Sequence, residues 1–204
     1  MVNDIDDAAL ASGWTILCDF DGTIAVADVI DGLLDRYGLS GWQALEDQWR
    51  AGAIGSRICM SDQVALLEME RAQLDAYLDA VRIDHAFARF VAAARALRVP
   101  IRIVSDGLDY AIRRILGRHG LAHLPLVANR LLPADAPRRW RLVSGFDAPG
   151  CASGTCKCAC AAHARAGGVT RTLLIGDGAS DFCAAQRVDF VFAKHRLIEH
   201  CRAA

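Results

Sequence analysis

Asp19 and Asp21 stand two residues apart at the end of an apolar run, Trp14 to Leu17, and lead into Gly22 and Thr23. Alternate side chains of a strand point to the same side of a sheet, so both carboxylates face one way. Their charges repel, and a chain that places them together calls for a positive partner between them. A hard divalent cation such as Mg²⁺, bound through one or two carboxylates plus water and a substrate phosphate, meets that demand. Taken alone, the pair also reads as a strand-end turn with two solvated aspartates.

Two further strand ends carry polar punctuation. Ile101–Val104 runs into Ser105-Asp106-Gly107, and Thr172–Ile175 runs into Gly176-Asp177-Gly178-Ala179-Ser180-Asp181. Lys157 stands just before a helical pattern, and a helix N-terminus beside a lysine favours an anion. A serine followed by free backbone N–H groups can hold phosphate oxygens. Two separated carboxylate clusters can share a metal that neutralises developing charge. These are the parts for phosphoryl transfer. The chain lacks a Gly-x-x-x-x-Gly-Lys-Ser/Thr loop, which argues against a P-loop nucleotidase.

Such groups need elements to hold them. Thr15–Asp19 reads as a first strand, and residues 1–13 as a mobile lead-in. From Asp28 the period turns helical, with Val29, Ile30, Leu33, Leu34 and Tyr37 on one face and Gly38 as a stop. Trp42–Trp49, Ser61–Glu70 and Leu74–Val81 read as three more helices, so residues 27–85 form a helical module inserted after the first strand. From Ala86 helix and strand alternate. Helices are expected over Phe87–Leu97, Asp109–His119, Cys158–Ala166, Asp181–Arg187 and the tail. Strands are expected over Ile101–Val104, Leu126–Ala128, Thr172–Ile175 and Phe190–Phe192, with a hairpin between Leu131 and Ser144. This alternation predicts an α/β fold, a mostly parallel Rossmann-like sheet covered on both faces, built from residues 14–26 and 86–204. Ligands of such sheets bind at the carboxyl ends of the strands, where the three polar clusters fall.

Composition narrows the class. The chain has 204 residues, 53% of them hydrophobic, enough for one large domain with an insertion. A net charge of −1 gives no electrostatic case for nucleic acid or a membrane surface. The acidic start lacks a signal-peptide layout, and no apolar run reaches the roughly 18–20 residues of a membrane span. Eight cysteines without an export signal favour reduced thiols and a cytoplasmic location over a disulfide framework.

Asp19-Phe20-Asp21-Gly22-Thr23-Ile24, Ser105, Lys157 and Gly176-Asp177-Gly178-Ala179-Ser180-Asp181 resemble, in order and spacing, the four motifs of the haloacid dehalogenase superfamily. The helical insertion resembles the C1 cap of its phosphoserine phosphatase-like subgroup. The resemblance implies that Asp19 is a nucleophile forming an aspartyl-phosphate. It implies that Asp21 protonates the leaving oxygen and then activates water, its backbone carbonyl also binding Mg²⁺. Ser105 and Lys157 would hold the phosphoryl group, Asp177 would complete the metal site with Asp19 and Asp21, and Asp181 would support it. The implied activity is Mg²⁺-dependent hydrolysis of a small phosphorylated metabolite by a monomer or homodimer. A phosphotransferase or mutase with the same intermediate, and a non-catalytic phosphate-binding protein, are the alternatives.

Within the superfamily, Asp28, Ile54-Gly55-Ser56-Arg57, Asn129 and the cysteine-rich run before the lysine helix resemble the methylthiopentenyl phosphate phosphatases of methionine salvage. Ser105 is followed by Asp106-Gly107 where that group shows two glycines, which puts Asp106 and Gly107 at the substrate pocket. Asp28 and Arg57 correspond to substrate-binding cap positions. Asp28 reads equally as a helix cap, and Arg57 equally as a solvated surface residue. Trp42 and Trp49, seven apart on a helix, are expected in the core. Cys151, Cys156, Cys158 and Cys160 read as structural thiols, a redox pair or a zinc site, and their spacing favours the first.

Overall fold

The computed structural model describes residues 13–204. Apart from Gly13, the expected lead-in over residues 1–13 lies outside them. The first strand, β1 (Trp14–Cys18), is followed by four helices: α1 (Val29–Tyr37), α2 (Trp42–Arg50), α3 (Ser56–Ala65) and α4 (Arg71–Ala80). Then come α5 (Phe87–Ala96), β2 (Ile101–Leu108), α6 (Asp109–Arg118), β3 (Leu126–Pro133) and β4 (Trp140–Val143). The chain ends with α7 (Lys157–Ala166), β5 (Arg171–Gly176), the short α8 (Phe182–Ala185), β6 (Phe190–Ala193) and α9 (His195–Ala203).

The strands form one sheet in the order β4-β3-β2-β1-β5-β6. Every neighbouring pair is parallel except β3 and β4, which form the expected hairpin. From β1 the chain moves outward through β2 and β3, then returns to build β5 and β6 on the other side of β1. The reversal puts a crevice at the carboxyl ends of β1 and β5. Their register pairs Cys18 with Ile175, so the residues just beyond each strand stand side by side. The amide of Asp19 donates to the carbonyl of Ile175 at 2.8 Å.

Alternation along the strands divides the apolar residues between two faces. Ile16, Cys18, Ile101, Ile103 and Leu173 join a large core with α1, α4, α5 and α6. Leu17, Val104 and Leu174 point the other way, against Cys160 and Ala161 of α7 and Ala184 of α8. The helical excursion leaves and rejoins the sheet layer at one place. Ala25 bridges Ile83, the Val26 amide donates to the Arg82 carbonyl at 3.1 Å, and the Asp84 amide to the Ile24 carbonyl at 2.8 Å. Apolar residues of α1, α3 and α4 belong to the same core as the sheet.

Three elements differ from the sequence expectation. The helix expected over Ser61–Glu70 is shifted to Ser56–Ala65. Beyond it the backbone is extended, because tertiary partners take its amides: Glu68 donates to Tyr37 and Met69 to Arg138, at 2.9 and 3.0 Å. Leu67 and Met69, two apart and fully buried, follow strand spacing there. Ser105-Asp106-Gly107 continues β2 to Leu108, with a register shift against β3 between Val104 and Leu108. The helix expected over Asp181–Arg187 begins with a tighter turn, Ala179–Asp181, and ends at Ala185.

Candidate active site

Asp19 is the first residue past the central strand and is 5% exposed. Its Oδ1 accepts from the Phe20 amide, and its Oδ2 lies 2.7 Å from Nζ of Lys157. Lys157 opens α7, yet its side chain is fully buried, with Nζ also 2.7 Å from Asp181 Oδ1 and 3.0 Å from Ser180 Oγ. Burial alone would lower the lysine pKa; the facing carboxylates of Asp181 and Asp19 outweigh it and push it up. Burial, then repulsion from Asp181, pushes the Asp19 carboxyl up against the opposing pull of Lys157.

The loop after β5 supplies the next carboxylates. Asp181 is fully buried, and its Oδ2 accepts from the amides of Asp177 and Gly178. Asp177 Oδ1 accepts from the Thr23 hydroxyl at 2.9 Å, which ties this loop to the one after β1. That approach leaves no room for a side chain at residue 22: Gly22 has φ +68°, and a Cβ there would sit 2.4 Å from Asp177 Oδ2. Asp19, Asp177 and Asp181 each offer an oxygen within 4.8 Å of the others. Lys157 contacts two of these three acids, Asp19 and Asp181, so the donor set of hard oxygens and its unbalanced charge both fit a divalent cation. Asp21 lies outside that side-chain cluster.

Asp21 instead accepts from the Val29 amide at the start of α1. Burial, opposed by that hydrogen bond, pushes its carboxyl up to about 6. Ser105 is 1% exposed and its Oγ accepts from the Gly107 amide at 3.0 Å. A Cβ on Gly107 would stand 2.4 Å from Asp21 Oδ2, so the absent side chain is what lets the two strand ends converge. Asp19, Asp21, Ser105, Asp106, Gly107 and Asp177 line one cavity of about 150 Å³, roofed by Ile30, Trp49 and Met60 of the inserted helices.

Asp28 lines this cavity and also caps α1, accepting from the amides of Ile30 and Asp31 at 2.9 and 3.1 Å. The hydrogen bonds bear out the helix-cap reading, and the same side chain lines the cavity. Arg57 does not reach the cavity lining. Its guanidinium donates to the carbonyls of Cys151 and Ser153 and pairs weakly with Asp147, so unmet backbone acceptors hold it on the far side of α3. Trp42 packs partly against the core as expected, whereas Trp49 lines the cavity. Asp106 Oδ1 accepts from Asn129 Nδ2 and the Thr155 amide, both at 2.9 Å, and Oδ2 accepts from the Ser56 hydroxyl. This knot joins β2, β3, the loop before α7 and the start of α3. Thr155 carried no sequence signal, whereas Ser56, Asp106 and Asn129 fell among the features of the resemblance.

The cysteines divide. Cys158 in α7 and Cys183 in α8 are paired as a disulfide with Cα atoms 6.5 Å apart, a single pair rather than a framework, and Cys18, Cys59, Cys151, Cys156, Cys160 and Cys201 are free. Cys183 lay outside the cysteine-rich run, and only the packing of α8 on α7 brings the two together. Cys156 Sγ caps α7 by accepting from the Ala159 amide, and Cys160 is buried in the smaller core.

The family model of haloacid dehalogenase-like hydrolases matches residues 16–186. This chain belongs to that family. The four motifs span the matched region and meet at the crevice of this haloacid dehalogenase-like fold. Among curated relatives, a 2-hydroxy-3-keto-5-methylthiopentenyl-1-phosphate phosphatase of Geobacillus thermodenitrificans is 26% identical, over 92% of this chain and 86% of its own length. A protein of the same name from Lysinibacillus sphaericus is 28% identical over 91% and 84%. A substrate-bound phosphoserine phosphatase has the same fold, with a TM-score of 0.69 at 18% identity over 91% of this chain and 88% of its own. A phospho-aspartyl intermediate analogue of phosphoserine phosphatase gives 0.67 at 19% identity, over 93% and 97%. Among the described residues, no helix is long and apolar enough to cross a membrane.

Proposed function

We propose that this chain is a phosphatase of small phosphate monoesters working through an aspartyl-phosphate on Asp19. One observation carries the reading: in a protein of this hydrolase family, the carboxylate past the central strand faces a buried lysine at 2.7 Å, on a cavity it shares with Ser105 and Asp21. The two relatives described above are both named as phosphatases, which supports the reaction class.

In the first step an oxygen of Asp19 attacks phosphorus and the ester oxygen leaves. Asp21, with a carboxyl raised to about 6, gives that oxygen its proton. In the second step the same carboxylate takes a proton from water, which attacks phosphorus and releases Asp19. Lys157 and Ser105 hold the non-bridging oxygens. Asp19 and Asp177, with the backbone carbonyl of Asp21, would hold Mg²⁺, which supplies charge neutralisation for the incoming phosphate. Asp181 positions Lys157 and the Asp177 loop through its two oxygens. The inserted helices close the cavity and limit it to a small ester.

The test is phosphate release from phosphoserine, sugar phosphates, p-nitrophenyl phosphate and the methylthiopentenyl ester for which the relatives are named, with Mg²⁺ and with chelator. Turnover is expected with metal and is lost in Asp19→Asn. Acid quench of the wild type should trap a phosphoenzyme that the variant lacks. Phosphate appearing on an added alcohol in preference to water would turn the assignment to a transferase.

A further inference from the structure

Two links join α7 to the turn that carries Asp181, and they lie back to back. On the inner side, Nζ of Lys157 contacts Asp181 Oδ1 at 2.7 Å and Ser180 Oγ at 3.0 Å. On the outer side, Cys158, the next residue of α7, is bonded to Cys183, two residues beyond Asp181. The covalent link therefore backs the ionic one. It matters because α8 has only four residues, Phe182–Ala185, too few for a helix to hold itself. Its other ties include Ala184 in the smaller core and the Phe182 ring stacked on His200 at 4.1 Å.

Exposure singles out the same pair among the eight cysteines. Cys183 is exposed and Cys158 half-buried, so a thiolate in solution reaches the disulfide from the side away from Lys157. Cys18, Cys59, Cys156 and Cys160 are buried free thiols, and Cys151 and Cys201 are free without a disulfide partner.

We infer that the Cys158–Cys183 disulfide is a positioning link for Lys157 and Asp181, so that the redox state of these two cysteines sets the rate of phosphate release. This rests on the phosphatase reading above. A small dithiol opens the bond by exchange: the two cysteine sulfurs take up two electrons and two protons, and the dithiol closes into its own disulfide. A low-molecular-weight disulfide reverses the exchange. With the bond open, the Asp177–Asp181 loop is tied to α7 only by the Lys157 contact and the apolar packing of Ala184. A displacement of about 1 Å in a group that meets the transferring phosphoryl costs up to about 10²-fold in rate.

The experiment measures phosphate release at saturating Mg²⁺ before and after dithiothreitol, and again after oxidised glutathione. Reduction is expected to lower kcat at least fivefold, reversibly, while free thiols counted in denaturant rise from the six unpaired cysteines to all eight. Cys158→Ser and Cys183→Ser should hold the reduced rate in either condition, and Cys201→Ser should respond as the wild type does. A rate unchanged or raised by reduction, or eight free thiols before it, would overturn the inference. Hydrogen exchange separates positioning from general stability. The Asp177 and Gly178 amides, which donate to Asp181 Oδ2, should exchange faster on reduction while β1 to β3 stay protected. Faster exchange across the whole sheet would make the disulfide a fold staple and overturn its positioning role. No turnover in either state would overturn the phosphatase reading, and exchange at these two amides then decides the inference, which fails if they do not respond.

Discussion

The ammonium of Lys157 stands 2.7 Å from Oδ2 of Asp19, and both side chains are almost wholly out of solvent. Removing one partner of a buried pair strands the other. Lys157→Ala leaves Asp19 and Asp181 facing each other without a counter-charge, which costs about 3–5 kcal/mol of stability. Urea unfolding should show that loss, and phosphate release should fall at least a hundredfold. Added Mg²⁺ should restore part of the stability by supplying a counter-charge and little of the activity. A variant as stable as the wild type without metal would show that solvent, not Lys157, neutralises the acids.

Asp21 and Asp19 are separated by their partners as well as by position, one bonded to the Val29 amide and the other to Lys157. If Asp21 supplies the proton to the leaving oxygen, its loss matters most where that oxygen most needs one. Asp21→Asn keeps an acceptor for Val29 and is expected to cost about 10²–10⁴ in kcat for alkyl phosphates. For p-nitrophenyl phosphate, whose leaving group departs as a stable anion, the loss in the first step should be much smaller. Single-turnover formation of the phosphoenzyme from each ester measures this directly. Equal losses on both would remove Asp21 from the proton-donor role.

Much of the frame was legible because local signals agreed with the tertiary outcome. Val29 to Tyr37 had helical period, a capping aspartate and a glycine stop, and all three operate in the structure. The strand ends at Asp19 and Asp177 were readable because apolar runs meet polar punctuation there, whereas the same sign at Ser105 misled, since β2 runs on to Leu108. What could not be read was set by distant partners. The stretch after Ala65 has helical composition, but Tyr37 and Arg138 draw its amides into extended pairing. Arg57 could be placed in the helical insertion but not on a helix, since the expected one began at Ser61, and it could not be aimed, because the carbonyls that hold it come from residues 151 and 153. Cys183 gave no signal of its own, and Trp49 had the same helical spacing as a core residue.

The Asp106 knot gives a prediction about the seam between the inserted helices and the sheet. All three groups facing its carboxylate are donors: the Ser56 hydroxyl, Asn129 Nδ2 and the Thr155 amide. Asp106→Ala removes the acceptor that Asn129 Nδ2 and the Thr155 amide share and leaves those two donors unpaired, at a cost of about 1–3 kcal/mol. Because the knot anchors the start of α3, which carries Cys59, Met60 and Gln63 of the cavity wall, KM should rise along with the loss of thermal stability. A fall in melting temperature with KM unchanged would mean that the knot stabilises the fold without shaping the cavity.

Asp189 ties the far edge of the sheet, and its contribution depends on pH. Its Oδ2 accepts from the Thr172 amide at 2.7 Å, the Thr172 hydroxyl at 2.9 Å and Arg165 at 2.8 Å. The Thr172 amide bond, helped by its hydroxyl and by Arg165, outweighs burial and holds the carboxyl below its ordinary value. A folded-state value below the unfolded one, about 3.9, means that the native state binds the proton less well. The stabilisation is therefore complete above that value and fades as pH falls through the folded one. Asp189→Asn mimics the protonated acid. It should be less stable than the wild type at neutral pH, and the gap in urea unfolding should close as the pH falls below about 4. Since Thr172 belongs to β5, whose end carries Asp177, loosening this tie should also weaken metal-dependent turnover at neutral pH by a small factor. A stability gap that stays constant into acid would show that Asp189 acts through packing and not through its charge.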